Sequence, residues 1–401
     1  MNSNWNSEPL GNLVGYIARG IAPKYTDESN ENAVVVLGQR CVRNQQIDYS
    51  QARLHDSSSK NVKPEKLVRL NDILINATGV GSAGRVAQVT DIPPYGCLTD
   101  SHVLTLRADG INPLYLGYFV KSKQSIIEGM AEGSTGQTEM NKARLSTEVV
   151  VTFPSDPETQ EAIASFLLAM DRKIANNYRT NDYLSDMLDA LFDEVVTGES
   201  FDWESASLLD IANYKNGLAM QRFRPVGNDR GLPVLKIREL GQGYCGADAE
   251  RCRSDIDEAV TIHDGDLVFS WSGTLLLDFW AGGDAGLNQH LFKVTSCSYP
   301  SWFYYMWTKQ HMRRFISLAK DRATTMGHIK RSALQESEVF IPPSDRMEEL
   351  TAQMQPIVDE IIELKVQSRK LGELRDALLP KLMAGEIDTA KIELDDARNP
   401  R

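Results

Sequence analysis

The 401-residue chain has little that would tie it to a membrane, a disulfide framework or a cofactor. No apolar run approaches the roughly 18 residues of a membrane span, and Met1 to Asn12 carries neither a basic start nor the apolar stretch of a signal peptide. A cytoplasmic protein without membrane association is expected. The cysteines, Cys41, Cys97, Cys245, Cys252 and Cys297, are odd in number, scattered, and lack a CxxC pair. They read as reduced thiols and support neither a disulfide scaffold nor a zinc site. The histidines show no ligand spacing, so no metal is expected. Positive charge is also short, 43 Lys and Arg against 55 Asp and Glu for a formal net charge of −12. That balance argues against binding nucleic acid by bulk charge but permits local basic surfaces. With 42 % hydrophobic and 24 % charged residues the composition is that of an ordinary folded protein, and the length allows two or three domains.

What the chain has instead is duplication. Trp5, Leu10 and Leu13 reappear as Trp203, Leu208 and Ile211, and Val36-Leu37-Gly38-Gln39-Arg40 reappears as Val234-Leu235-Lys236-Ile237-Arg238 at the same offset. Further on, Asp72 to Ile75 matches Asp266 to Phe269, Pro154-Ser155-Asp156 matches Pro343-Ser344-Asp345, and Ala190 to Glu199 matches Ala377 to Glu386. The offset shrinks along the chain, as expected where loops absorb length changes. A period near half the chain is far too long for a solenoid, whose repeats run about 20 to 50 residues. It implies a duplicated domain plus connector, arranged about a pseudo-twofold axis.

The connectors read as long amphipathic helices. Apolar residues fall at Ile163, Leu167, Met170 and Ile174, then Leu184, Leu188, Leu191 and Val195, with Asn177 and Asn181 in the middle seam positions. The second copy runs Leu350, Met354, Ile357, Ile361 and Leu364, then Leu371, Leu378 and Leu382, with Ser368 polar at mid-seam and Arg375 interrupting. Alternating steps of three and four make a heptad seam. Asp156 before Pro157, Ser155 ahead of Glu158 and Asp345 ahead of Glu348 are start signals, Gly198 and Gly385 are candidate C-caps, and Pro356 should kink the second helix. Each helix is about 38 residues, roughly 57 Å long. A pseudo-twofold makes the pair antiparallel and sets Asn177 and Asn181 across from the Leu364 to Ser368 region, either as a buried register device or as a solvent-facing loose point.

The globular parts read as α+β. Val34 to Leu37, Ile73 to Ile75, Val103 to Leu106, Val149 to Thr152, Leu267 to Phe269 and Val339 to Ile341 are strand-like runs, while Leu114 to Met130 and Trp302 to Ala319 are helical. Several motifs resemble enzyme signatures without their context. Gly79 to Gly84 fits GxGxxG, but the following Arg85 to Val89 looks like another strand, so a hairpin is expected. Asp91-Ile92-Pro93-Pro94-Tyr95 resembles an amino-methyltransferase box with Ile92 where a polar residue is needed, and reads as a proline turn. In Glu363-Leu364-Lys365 the leucine is a seam position. His102 and His290 stand at matching places, Asp100-Ser101-His102 and Asn288-Gln289-His290, and read as turn or interior contacts.

The functional signal lies in the loops before each long helix. The stretch Gly133 to Lys142, with Ser134, Thr135, Gly136, Gln137, Thr138 and Lys142 as candidate contacts, aligns with Arg322 to Arg331, which offers Thr324, Thr325, Gly327, His328, Lys330 and Arg331. Small hydroxyls, glycine, an amide or imidazole and terminal bases suit a loop that approaches a phosphate backbone and presents donors to base edges. Lys309, Arg313, Arg314, Lys320 and Arg322 precede the second loop; Lys121, Lys123, Lys142 and Arg144 stand for them in the first copy. Ser272 and Thr274 complete the candidate DNA-binding set.

Here the chain resembles the specificity subunits of type I restriction-modification systems. The resemblance rests on the order of domain, helix, domain, helix; on the Gly265 to Val268 strand; on the loops before each helix; on Pro342-Pro343; and on the ending Leu379 to Ile387. It implies an α+β chain of two tandem target-recognition domains, 1–155 and 199–343, joined by long helices, 156–198 and 344–387, in an antiparallel coiled coil, with a tail at 388–401. It further implies a non-catalytic subunit that reads a bipartite, asymmetric double-stranded DNA target. The helices, whose mutual seam runs from Ile163 to Leu378, would bind two modification subunits that carry S-adenosylmethionine, with restriction subunits as optional partners. A stand-alone DNA-modifying enzyme and a protein-only coiled-coil scaffold are the alternatives.

Overall fold

A computed structural model describes residues 4–27, 29, 31–133, 138–199, 203–320 and 329–387. The chain forms two compact units, Met1–Asp171 with Leu374–Arg401, and Arg172–Glu373. Each contains one globular α+β half, the start of the helix that follows it and the end of the other long helix.

In the first unit, strand Trp5–Pro9 pairs antiparallel with Val150–Pro154, closing the globular half at its two ends. A four-stranded antiparallel sheet follows in the order Val14–Arg19, Val103–Ala108, Ile73–Asn76, Val86–Gln88. Every residue of Ile73–Asn76 is buried, which is why this run has no polar alternation and sits inside the sheet. A second sheet orders Cys97–Thr99, Ala33–Leu37, Arg53–Asp56 and Tyr25–Thr26, with the first pair parallel. The helical stretch is broken at Lys123 into Pro113–Ser122 and Gln124–Gly129; Asn112 caps the former by accepting from the Tyr115 amide at 3.0 Å. The Gly79–Gly84 segment is the expected hairpin. It joins Ile73–Asn76 to its antiparallel partner Val86–Gln88, with Gly79, Gly81 and Gly84 all at positive φ. A strand where a dinucleotide site needs a helix removes the Rossmann reading.

The second unit repeats the frame. Glu204–Ser207 pairs with Glu338–Ile341, and the antiparallel sheet runs Asn213–Asn216, Leu291–Thr295, Leu267–Ser270, Leu277–Phe279. In the smaller sheet Leu232–Leu235 lies between Arg251–Cys252 and a parallel neighbour, Ala285–Leu287, and Thr261–Ile262 occupies the far edge. Helices Ser301–Gln310 and Met312–Lys320 break at His311, as their counterparts do at Lys123.

The long helices span Pro157–Glu199 and Ser344–Met383, the second running unbroken through Pro356. Asp156 caps the first, its carboxylate accepting from the Glu158 and Thr159 amides. Asp345 is not a cap: the second helix starts one residue earlier, so this side chain sits in the first turn, where its negative charge interacts favourably with the positive end of the helix dipole. Gly198 is not a C-cap either, because the helix continues through Glu199. Gly385 is one. At φ 68° it lets its own amide donate to Leu382 O and that of Glu386 to Lys381 O, and the Trp5 indole packs where a Cβ would stand.

The seam partitions with the units. In the first, Ile163, Ala164 and Leu167 pack with Leu379, Leu382 and Met383 in the domain core, with Leu378 partly buried against it. Arg375 does not break that packing, because it donates to Asp171 at 2.6 Å, which also accepts from Tyr118 at 2.6 Å. In the second, Leu188 and Phe192 join Leu350, Met354, Ile357, Val358 and Ile361. Met170, Ile174 and Leu364 are buried, whereas Leu371 is only half-buried. Asn177 and Asn181 are buried, so the solvent-facing reading fails. Asn177 donates to Gln367 Oε1 at 2.8 Å and lies 3.5 Å from Leu364 O, in the stretch expected opposite it. The Asn181 amide has no partner among the described residues. Such a group costs about 1–3 kcal/mol.

Candidate nucleic-acid interface

The loops before the long helices rise from matching three-tier backbone stacks. In the first unit the Met140 amide donates to Ala77 O at 2.7 Å, and the Ala77 amide donates to His102 O at 2.7 Å. In the second, Ile329 donates to Trp271 O at 2.9 Å and Trp271 to His290 O at 3.3 Å. Met140 and Ile329 are buried, so each loop is pinned by an apolar plug just before its short helix, Lys142–Glu148 or Arg331–Gln335. A short hairpin, Ala131–Glu132 with Glu139–Met140, supports the first loop, and the Gly79 amide donates to Thr138 O at 3.0 Å.

Ser134, Thr135, Gly136 and Gln137 lie outside the described residues, as do Arg322, Thr324, Thr325, Gly327, His328 and the tail 388–401. Thr138 is half-buried at the loop root; Lys142, Lys330 and Arg331 are exposed. Thr274 is exposed, but Ser272 is buried and holds His290 Nδ1 at 3.1 Å, so its hydroxyl orients an imidazole and does not face solvent. The expected basic surface is smaller than the count of bases suggests. Arg144 is tied to Glu148 and Glu132, Lys309 to Asp189 at 2.6 Å, and Arg314 to Glu336 at 3.3 Å. Lys121 and Lys123 lie over the rings of Tyr118 and Phe119. Arg313 is exposed.

Two further features stand in this region. His102 is exposed, its Nδ1 is 2.8 Å from Thr78 Oγ1, and the side chain of Asp100 accepts from its amide. Burial pushes the Asp100 carboxyl above its ordinary range. Val80 is 74 % exposed at the tip of the glycine hairpin. The matched Asp/Asn-x-His triplets were the available signal. Elsewhere the thiols are free, and burial pushes Cys97 and Cys245 up to about 12, so they are inert as nucleophiles. Among the described residues no group of His, Cys, Asp and Glu is placed to hold a metal, and no helix is long and apolar enough to cross a membrane.

The sequence model of the type I restriction modification DNA specificity domain matches residues 2–184. A type I restriction enzyme specificity subunit, MjaIX of Methanocaldococcus jannaschii, is 26 % identical over 318 residues, 70 % of each chain. By these matches the chain is similar to the specificity subunits of type I restriction-modification systems. The crystal structure of a type I system S subunit from M. genitalium shares the fold, with a TM-score of 0.56 at 16 % identity over 95 % of this chain and 96 % of that one.

Proposed function

We propose that this chain is the non-catalytic reader of a split, asymmetric double-stranded DNA target, each recognition domain contacting one half-site through the loop before its long helix. The observation that carries this reading is the same loop root built twice, ending in different side chains. A shared root anchors both loops alike, and unlike loop residues call for unlike half-sites. The recognition domains are 1–155 and 199–343, and the helices between and after them leave a gap of unread base pairs. The helices also seat two modification subunits, which bind S-adenosylmethionine and methylate the target; restriction subunits are optional partners. Exposed Tyr178, Tyr183 and Met187 on the first long helix support docking there, since large apolar side chains on a solvated helix suit a protein partner. Because the chain is acidic, partner subunits complete the positive channel, and the isolated chain binds DNA weakly.

Methylation mapping of host DNA, with the chain expressed beside its modification subunits, tests the reading. The expected result is one split motif with non-identical halves; methylation with no motif, or with a contiguous palindrome, overturns it. Changing Lys330 and Arg331 together to alanine should weaken binding to all duplexes alike and flatten the salt dependence by about two counterions. An unchanged slope removes these residues from the interface. Tight binding of S-adenosylmethionine by the isolated chain would favour a stand-alone enzyme instead.

A further inference from the structure

We propose that His102 is a specificity-determining residue of the first recognition domain, its Nε2–H donating to a purine N7 in the half-site. This rests on the DNA-reading function above and names one contact within it. The argument starts from a hydrogen-bond chain. Gln39 Nε2 donates to Thr78 Oγ1 at 2.6 Å, and the threonine proton, with no other acceptor among the described residues, goes to His102 Nδ1, 2.8 Å away. An imidazole that accepts at Nδ1 carries its proton on Nε2. The backbone beneath is fixed as well: the His102 amide donates to Asp100 Oδ1 at 2.8 Å, and its carbonyl is the floor of the loop stack. The ring is exposed, and Nε2 has no partner among the described residues.

Its position is that of a reader. Thr78 is bridged to Glu139, and the next residue, Gly79, donates to Thr138 O, so the imidazole stands at the root of the loop. A phosphate contact needs charge and tolerates any donor direction. Two side chains spent on fixing ring orientation and tautomer suit a directional bond to a base edge, where guanine and adenine both offer N7 in the major groove.

The second domain supplies the contrast. His290 Nδ1 faces Ser272 Oγ at 3.1 Å, but its Nε2 is taken by Gln289 Nε2 at 3.3 Å. Both ring nitrogens are engaged inside the protein, so His290 positions its turn and reads nothing.

The test uses the chain assembled with its modification subunits and target duplexes in which single purines are replaced by 7-deaza analogues, which lack the N7 acceptor. The wild-type complex should lose about tenfold in affinity at one purine of one half-site. His102→Ala should lose the same amount on natural DNA and be insensitive to the analogue at that purine. His290→Ala should keep the wild-type sensitivity profile. Thr78→Val, which leaves the imidazole but removes its orienting hydroxyl, should also reduce the discrimination and serves if His102→Ala fails to assemble. A His102→Ala or Thr78→Val complex that keeps full sensitivity at every purine overturns the assignment, as does a wild-type complex insensitive to 7-deaza substitution throughout that half-site. A wild-type complex that cannot tell its mapped target from random duplex overturns the DNA-reading function itself, and the contact with it.

Discussion

The first globular half builds its core around Ile75, Leu104 and Ile127, whereas the second places Phe269, Phe292 and Phe315 at the matching points. The match is structural: Leu104 is the cross-strand partner of Ile75, and Phe292 that of Phe269. All six are buried. In the second half the rings pack on one another, Phe269 lying 6.1 Å from Phe292 and 5.9 Å from Phe315, with Tyr214 edge-on to both Phe269 and Phe292. Both halves nevertheless keep the same order in the antiparallel sheet and the same pairing of first strand with last. The difference teaches that the frame depends on which positions are apolar and not on which apolar residue fills them. It also separates what the halves share, the loop root, from what they are free to vary, the loop itself.

The largest expected effect breaks the comparison at its centre. Phe269→Ala should cost about 3–5 kcal/mol, while Ile75→Val should cost only about 0.5–1.5 kcal/mol. Urea unfolding followed by a probe in each half would measure both. Ile75→Phe sharpens the point, since importing the larger residue alone should overpack the first half by about 1–3 kcal/mol. A neutral outcome would show that the aliphatic core has spare room.

The two matched helix-end glycines should respond with opposite signs. Gly385→Ala forces a Cβ into a left-handed backbone and against the Trp5 ring, 2.7 Å away, so it should destabilise by about 1–2 kcal/mol or more. Gly198→Ala adds a methyl with nothing within 4 Å in a helical position and should stabilise by about 0.5–1 kcal/mol. Equal effects in thermal melts would mean that the two helix ends are alike after all.

The smallest effect concerns His263, which belongs to the second half. The hydrogen bond with Asp284 raises its pKa most, partial burial opposes it, and Glu258 adds to the rise. A raised folded value means that the stabilisation is fully present below the unfolded value, about 6.5, and is lost as pH rises through the raised one. The exposed setting keeps the contribution small. Proton NMR titration should place His263 above the ordinary imidazole value, and Asp284→Asn should bring it back down; an unmoved titration would dismiss the pairing.

Much of this molecule was legible before folding. The duplication, the strand runs from Val34 to Ile341 and the heptad seams followed from periodicity, because a half-buried strand or helix must repeat its apolar face every two or 3.6 residues. Even the placement of Asn177 opposite Leu364 to Ser368 came from symmetry and spacing. What the sequence could not decide were matters of partnership. Arg375 interrupts the apolar seam in sequence, but in the fold it donates to Asp171, 204 residues away. Ser272 suits a DNA contact by residue type but is buried against His290, and His102 does sit in a turn, as expected, yet only the fold shows its ring exposed at the loop root. Arg144, Lys309 and Arg314 counted as a basic surface until acids from other segments claimed them. Only the tertiary structure could divide each long helix between two compact units. The reason is physical: local pattern states which face of an element must be buried, but which distant side chain meets it depends on packing and on partner atoms that the chain brings together only when folded.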